Sequence, residues 1–176
     1  MMKSKSSLLF VILISIATTS CSDDDTQNVI LNETDILGTW TINEINSTPA
    51  VDLESNGNSD TNVMNQTNCF DGMSLDFDTN GNLTVVSSEI TFDANTDPSF
   101  MCSLRTDTGS YIISGNDLTV TIPISGNQET ETILVNIQNN TLSFSLTESQ
   151  VAQFFNVPSG ESFSAINELE FVYIKD

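Results

Sequence analysis

The sequence predicts an all-β fold, an up-and-down antiparallel barrel of about eight strands with one short helix before the last. Three features carry that expectation. Apolar and polar residues alternate in short runs, turns rich in Asn and Gly separate the runs at even spacing, and a single segment of helical periodicity stands near the end of the chain. Strands with one apolar face each bury it most economically by curling the sheet onto itself.

The 176-residue chain opens with Lys3 and Lys5, then the apolar run Leu8 to Ile14. A helix needs about 20 apolar residues to span a bilayer, so this run is too short to remain there and reads as a secretory signal over residues 1–20. Thr18, Thr19 and Ser20 lead to Cys21, and Ser22 is followed by Asp23, Asp24 and Asp25. Small residues before a cysteine resemble a lipobox, which implies cleavage before Cys21 and acylation of its thiol, with palmitate among the chains implied. The acidic triplet is similar to the export signal of lipoproteins in flavobacteria-like Gram-negative cells. Together these resemblances imply a protein lipid-anchored in the outer membrane and displayed at the cell surface. An ordinary secretory signal and a solvated tether are the plainer readings of the same residues. Ser22 to Ile36 is rich in Asp, Asn and Thr, too poor in apolar groups to offset the entropy of ordering. Residues 21–36 are therefore expected to be a lipidated cysteine and flexible acidic tether, reaching at most roughly 50 Å when extended, and residues 37–176 a single barrel domain.

Within that domain Leu37 to Ile42 begins the first strand. A polar stretch from Asp52 to Asn68 reads as a long surface loop. Met73 to Asp78 turns at Asn80-Gly81 into Leu83-Thr84-Val85, and both turn residues tolerate the positive φ of a type I′ turn. Ser110 to Ile113 turns at Gly115-Asn116-Asp117 into Leu118 to Ile122, and Thr132 to Ile137 turns at Asn139-Asn140 into Leu142 to Leu146. Thr147 and Gln150 form the two ends of a capping box ahead of Val151, Phe154 and Phe155, predicting a short helix that Pro158 and Gly160 stop. Such a helix either covers an open seam of the barrel or is a packed connector. The last strand, about Glu168 to Lys175, puts Leu169, Phe171 and Tyr173 on one face.

Gly38-Thr39-Trp40 near the start of the first strand resembles the Gly-x-Trp signature of lipocalins. The order Cys69, Phe77, Asn80-Gly81 is similar to small bacterial lipocalin-like domains, as are Gly109-Ser110-Tyr111 and Asp117 to Val120 in a middle hairpin. The resemblance spans roughly Ile36 to Asp176. It implies a barrel that can hold a small molecule, and a basic side chain late in the barrel packed across the tryptophan, for which Lys175 is the late candidate.

Removal of the signal leaves two basic side chains, Arg105 and Lys175, against 24 acidic ones, a formal charge of −22. That field repels phosphate and offers no basic stripe, which excludes nucleic acid as a partner. With Cys21 acylated, Cys69 and Cys102 remain as an even pair in an oxidising compartment and are expected to form a disulfide. A two-thiol metal site lacks further soft ligands, since the chain has no histidine. Asp76-Phe77-Asp78-Thr79-Asn80-Gly81 matches the first half of an EF-hand loop, but Ser87 stands where the bidentate glutamate belongs, so the hairpin is preferred and neither a metal nor another cofactor is expected. The absence of histidine also removes Ser-His and Cys-His activation, and the chain is read as non-enzymatic.

Two functional readings stay open. In one the barrel holds a small apolar ligand, lined by Trp40, Leu75, Phe77, Val85, Tyr111, Ile113, Val120, Ile122, Phe144, Phe171 and Tyr173. In the other those side chains fill the interior, and the domain is a structural or protein-interaction module whose partner the sequence does not name. The membrane, through the lipid, is a partner in both. Cys21→Ser should move the protein from the membrane to the soluble fraction. A mature chain with no acyl mass and an N-terminus elsewhere would contradict the lipoprotein reading.

Overall fold

Each alternating run forms a strand, and the strands join in one curled antiparallel sheet. The computed structural model describes residues 31–53, 56–92, 100–124, 127–155 and 165–176. The signal segment, Cys21 and the acidic triplet lie outside the described residues. A one-turn helix, α1 (Glu33–Ile36), precedes β1 (Gly38–Val51), β2 (Asp60–Asn62), β3 (Ser74–Phe77), β4 (Asn82–Phe92), β5 (Phe100–Ser114), β6 (Asp117–Ile124), β7 (Asn127–Leu134), β8 (Asn136–Gln138) and β9 (Thr141–Thr147). Helix α2 (Glu148–Phe155) and β10 (Glu168–Lys175) complete the order.

The sheet runs β7-β6-β5-β4-β3-β1-β10-β9-β8, with β2 added to β1. Its two ends are consecutive in the chain, since only Val135 separates β7 from β8. The segment is one bent strand whose first part pairs with β6 and whose second part pairs with β9. Val135 is buried, and its N–H donates to the Asn116 carbonyl in the β5–β6 turn. Taken as one strand, β7 and β8 bring the barrel wall to the eight strands that the alternation predicts.

Bulges and turns set the register. Trp40 and Ile42 face the core; between Ile42 and Glu44 the pairing with β10 shifts by one residue, so that Ile45 and Ser47 take over the buried face. Asn139 and Asn140 both have positive φ, 50° and 63°, and form the tight turn between β8 and β9. At Asn80-Gly81 the expected type I′ turn does not form. Gly81 alone has positive φ there, and the Asp78 and Asn82 backbones close a three-residue loop. The cause is Asp78, whose carboxylate accepts from the backbone N–H groups of Asn80 and Asn82 and from the Asn82 side-chain amide at 2.8 Å.

Two expectations about irregular segments need correction. The tether ends earlier than Ile36, because Leu31 and Ile36 are buried and Asn32 with Asp35 caps α1. The polar stretch Asp52 to Asn68 is not simply a surface loop. It contains β2 and a 3-10 turn and buries Leu53 and Val63. Its few apolar residues are enough to dock it against β1.

One end of the barrel is closed by a single junction. The Trp40 indole N–H donates to the Ile36 carbonyl at 2.7 Å, the Lys175 ammonium lies 5.1 Å from the Trp40 ring centroid, and it also donates to the Asp35 carbonyl. Tryptophan and lysine thus take the exposed carbonyls at the end of α1. Leu31 N–H donates to the Asn116 side chain, which brings the β5–β6 turn to the same end. Toward the opposite end β5 and β6 part. Beyond Gly109, β5 pairs only with β4, and beyond Thr121, β6 pairs only with β7. A Cβ on Gly109 would collide with the Thr121 carbonyl oxygen, so the two strands touch at this glycine before they part.

Two tests follow from this arrangement. Truncation of a large buried aromatic costs about 3–5 kcal/mol, and Trp40→Ala should lower the unfolding free energy in urea by that amount; a loss within about 1 kcal/mol would mean that the junction is not structural. The Asn82 amide, followed by the other turn amides, lowers the Asp78 pKa to about 2. Its contribution to stability is therefore full above about pH 4 and lost as the pH falls from there toward 2. Carbon-detected NMR titration should place the Asp78 midpoint well below those of exposed carboxylates, and an ordinary midpoint would show that the turn does not hold the charge.

Candidate ligand site

Cross-strand rows show which side chains share the core-facing surface. Lys175, Trp40, Leu75, Val85 and Asp107 are successive partners across β10, β1, β3, β4 and β5. The neighbouring row joins Gly38, Phe77, Leu83 and Gly109. Tyr111 pairs with Val120 and Val120 with Glu131, while Phe144 pairs with Phe171.

The eleven candidate lining residues fall into two groups. Trp40, Leu75, Phe77, Tyr111, Phe171 and Tyr173 are buried, packed among Leu83, Leu118, Leu142 and Leu169. Phe77 meets Tyr111 edge to face at 5.0 Å, and Phe144 stacks on Phe171 at 5.2 Å. The Tyr111 hydroxyl donates to the Asp78 carbonyl, and burial, with the charges of Asp78 and Glu33, raises its pKa. Burial likewise pushes the Tyr173 phenol above its ordinary range. This half is core. Val85, Ile113, Val120, Ile122 and Phe144 are only half-buried. Val85 stands in the Trp40 row, Val120 pairs with buried Tyr111, Phe144 stacks on Phe171, and Ile122 lies beyond the last β5–β6 pair.

Sequence reasoning missed two polar residues on this surface. Arg105 and Asp107 are in phase with Tyr111 along β5, and the Arg105 Nε donates to the Asp107 carboxylate at 2.7 Å. Their side chains are 41% and 16% exposed, so the pair stands at the edge of the core with the arginine outward. Strand alternation counted back from Tyr111 would have found them. The leucines and Ile45 were also missed, the latter because the β1 bulge hides its phase. A cleft of about 330 Å³ lies at the closed end between α1, the β3–β4 turn and β5, lined by Glu33, Leu37, Asn80 and Ile112 and by two of the eleven candidates, Tyr111 and Ile113. It lies on the α1 side of the barrel, away from the arms where β5 and β6 part.

The remaining structural expectations are met. Cys69 and Cys102 form a disulfide that ties the 3-10 turn Asn68–Phe70 to β5. Helix α2 starts where the capping pattern places it, with the Thr147 N–H donating to the Gln150 side chain. The Gln150 amide reaches Glu131 of β7 at 3.1 Å, so the helix start bridges the gap between β9 and β7 rather than serving only as a connector. Of the two acidic residues of the EF-hand-like run, Asp78 has its carboxylate committed to turn amides and Asp76 accepts from the Thr39 hydroxyl.

Comparison with known proteins bears on the fold. No curated protein matches the chain. Among solved structures, a lipocalin-like protein from Bacteroides uniformis ATCC 8492 is 14% identical, with 81% of this chain and 99% of that one covered at a TM-score of 0.39. An uncharacterized protein from Bacteroides eggerthii DSM 20697 is 12% identical, with 80% and 98% covered and a TM-score of 0.39. The lipocalin-like domain family matches residues 36–144, more than half of the chain and including Trp40 and the β3–β6 wall. The chain belongs to the lipocalin-like domain family.

Proposed function

We propose that this chain is a non-catalytic, lipid-anchored outer-membrane lipoprotein, displayed at the cell surface, whose barrel binds a small apolar molecule. The observation that carries the ligand reading is the division of the core-facing surface. Part of it is packed with buried aromatic and leucine side chains, whereas Val85, Val120, Ile122 and Phe144 beside them remain half-buried. Apolar surface left in that state gains free energy when a ligand covers it, at about 25 cal/mol per Å². The Arg105–Asp107 pair borders the surface, and a ligand with one polar end suits it. Anchoring is supported by the signal-like segment, Cys21 and the acidic triplet.

The filled half also supports a second reading, in which the barrel serves only as a rigid scaffold for contacts with other proteins. Phe144 separates the two, because it belongs to the half-buried group while resting on Phe171 and Tyr173. In a chain carrying Cys21→Ser to remove the acyl group, Phe144→Ala should weaken Nile red binding about tenfold while far-UV circular dichroism and the cooperative melt persist. Absence of Nile red binding by the chain with Phe144 intact would discard the ligand reading in favour of the scaffold.

A further inference from the structure

The bent strand that closes the barrel leaves an open edge. Along Asn127–Leu134 every strand partner of β7 comes from β6, and β7 stands at the end of the sheet order. Beyond Ser143, β9 likewise has no β8 partner. Between these edges, Gln150 at the start of α2 reaches Glu131 by a hydrogen bond, and β9 approaches β7. Among the described residues no further strand pairs along Asn127–Leu134, and a strand edge left so is a template for another strand.

The side chains of β7 select what can pair there. Glu129 and Glu131 sit on its core-facing side, opposite Ile122 and Val120, and both are exposed. Thr130 and Thr132 lie on the other side, bonded to Thr121 and Thr119 of β6, with Leu134 70% exposed at the end. A second copy of this chain paired edge to edge would bring glutamates against glutamates, and the mature chain offers only Arg105 and Lys175 to relieve them. A strand with Lys or Arg at alternate positions and Thr, Val or Leu between them satisfies both faces.

We infer that the free edge of β7 is a docking site for an extended cationic segment of another protein, which adds a strand beside β7 with its basic side chains against Glu129 and Glu131. This edge adjoins the apolar ligand surface at Val120 and Ile122, and the inference does not depend on a ligand there.

The test uses the full chain in neutral detergent and an octapeptide alternating lysine with valine and threonine. The peptide should bind at physiological salt and slow hydrogen exchange at β7 amides. The same peptide N-methylated at alternate amides, so that it cannot pair along the edge, should lose binding. Glu129→Lys combined with Glu131→Lys, both exposed sites, should weaken the lysine peptide about tenfold or more and favour a glutamate counterpart. Equal binding of the N-methylated peptide, or undiminished binding by the double variant, would reduce the effect to diffuse attraction by the acidic surface and overturn the proposal. No binding at all would overturn it too, as would a dimer of the chain that protects the same amides.

Discussion

The structure depends on one contact, the Trp40 indole held between the end of α1 and the Lys175 ammonium. Gly38 starts β1 with a φ of 108°, and a Cβ there would meet the Lys175 side chain at an ordinary contact distance of 3.4 Å. The glycine is thus required by the backbone turn, which a side chain would strain. Because the indole N–H and the ammonium each take a helix carbonyl, α1 is fixed to the first and last strands at once. A cation over an indole is worth about 0.5–1 kcal/mol at an exposed site; the larger contribution is the burial of the ring beneath it. Lysine fills the place with a point charge that also bonds a carbonyl, a task that needs no planar guanidinium.

From that junction the barrel changes character along its length. Near it, turns at Asn80-Gly81, Gly115-Asn116 and Asn139-Asn140 are joined by backbone and side-chain hydrogen bonds, and the interior is filled. Away from it the β1–β10–β9 wall stays packed, with Ile45, Leu169 and Leu146 buried, but the contact at Gly109 brings β5 and β6 together for the last time, and their core-facing surface turns polar at Asp107, Arg105, Glu129 and Glu131. The disulfide from Cys69 to Cys102 ties down the β4–β5 arm where strand pairing with β6 no longer does. By the chain-entropy estimate a loop of that length contributes about 4 kcal/mol, which offsets the pairing that the separation of the strands gives up.

The fold class, the late helix, the disulfide and the Trp40–Lys175 contact were legible because each has a local signature: alternation, a capping pair, an even cysteine count, and a Gly-x-Trp resemblance with few cations to choose from. The last strand was legible for the same reason, as Leu169, Phe171 and Tyr173 bury the face their spacing implies. What was not legible depends on contacts distant in sequence. The one-residue bulge before Glu44 reverses which residues of β1 are buried. The order that α1 acquires comes from Trp40 and Lys175 rather than from its own four residues. The turn at Asn80-Gly81 was misread because Asp78, two residues upstream, captures the turn amides. The candidate site was half legible, since alternation found the face but not the place along the strands where packing stops.

If the β5 and β6 arms part while the rest of the barrel is packed, their backbones differ in local stability. Amide hydrogen exchange followed residue by residue measures that difference most directly. Trp40, Phe77, Leu83, Leu118, Leu142 and Tyr173 should exchange only through global unfolding, whereas amides of Ser87–Glu89, Ser103–Asp107 and Ile122–Glu129 should exchange through smaller openings, at least tenfold faster. Uniform protection across both sets would contradict the account, because the barrel would then be one cooperative core from end to end.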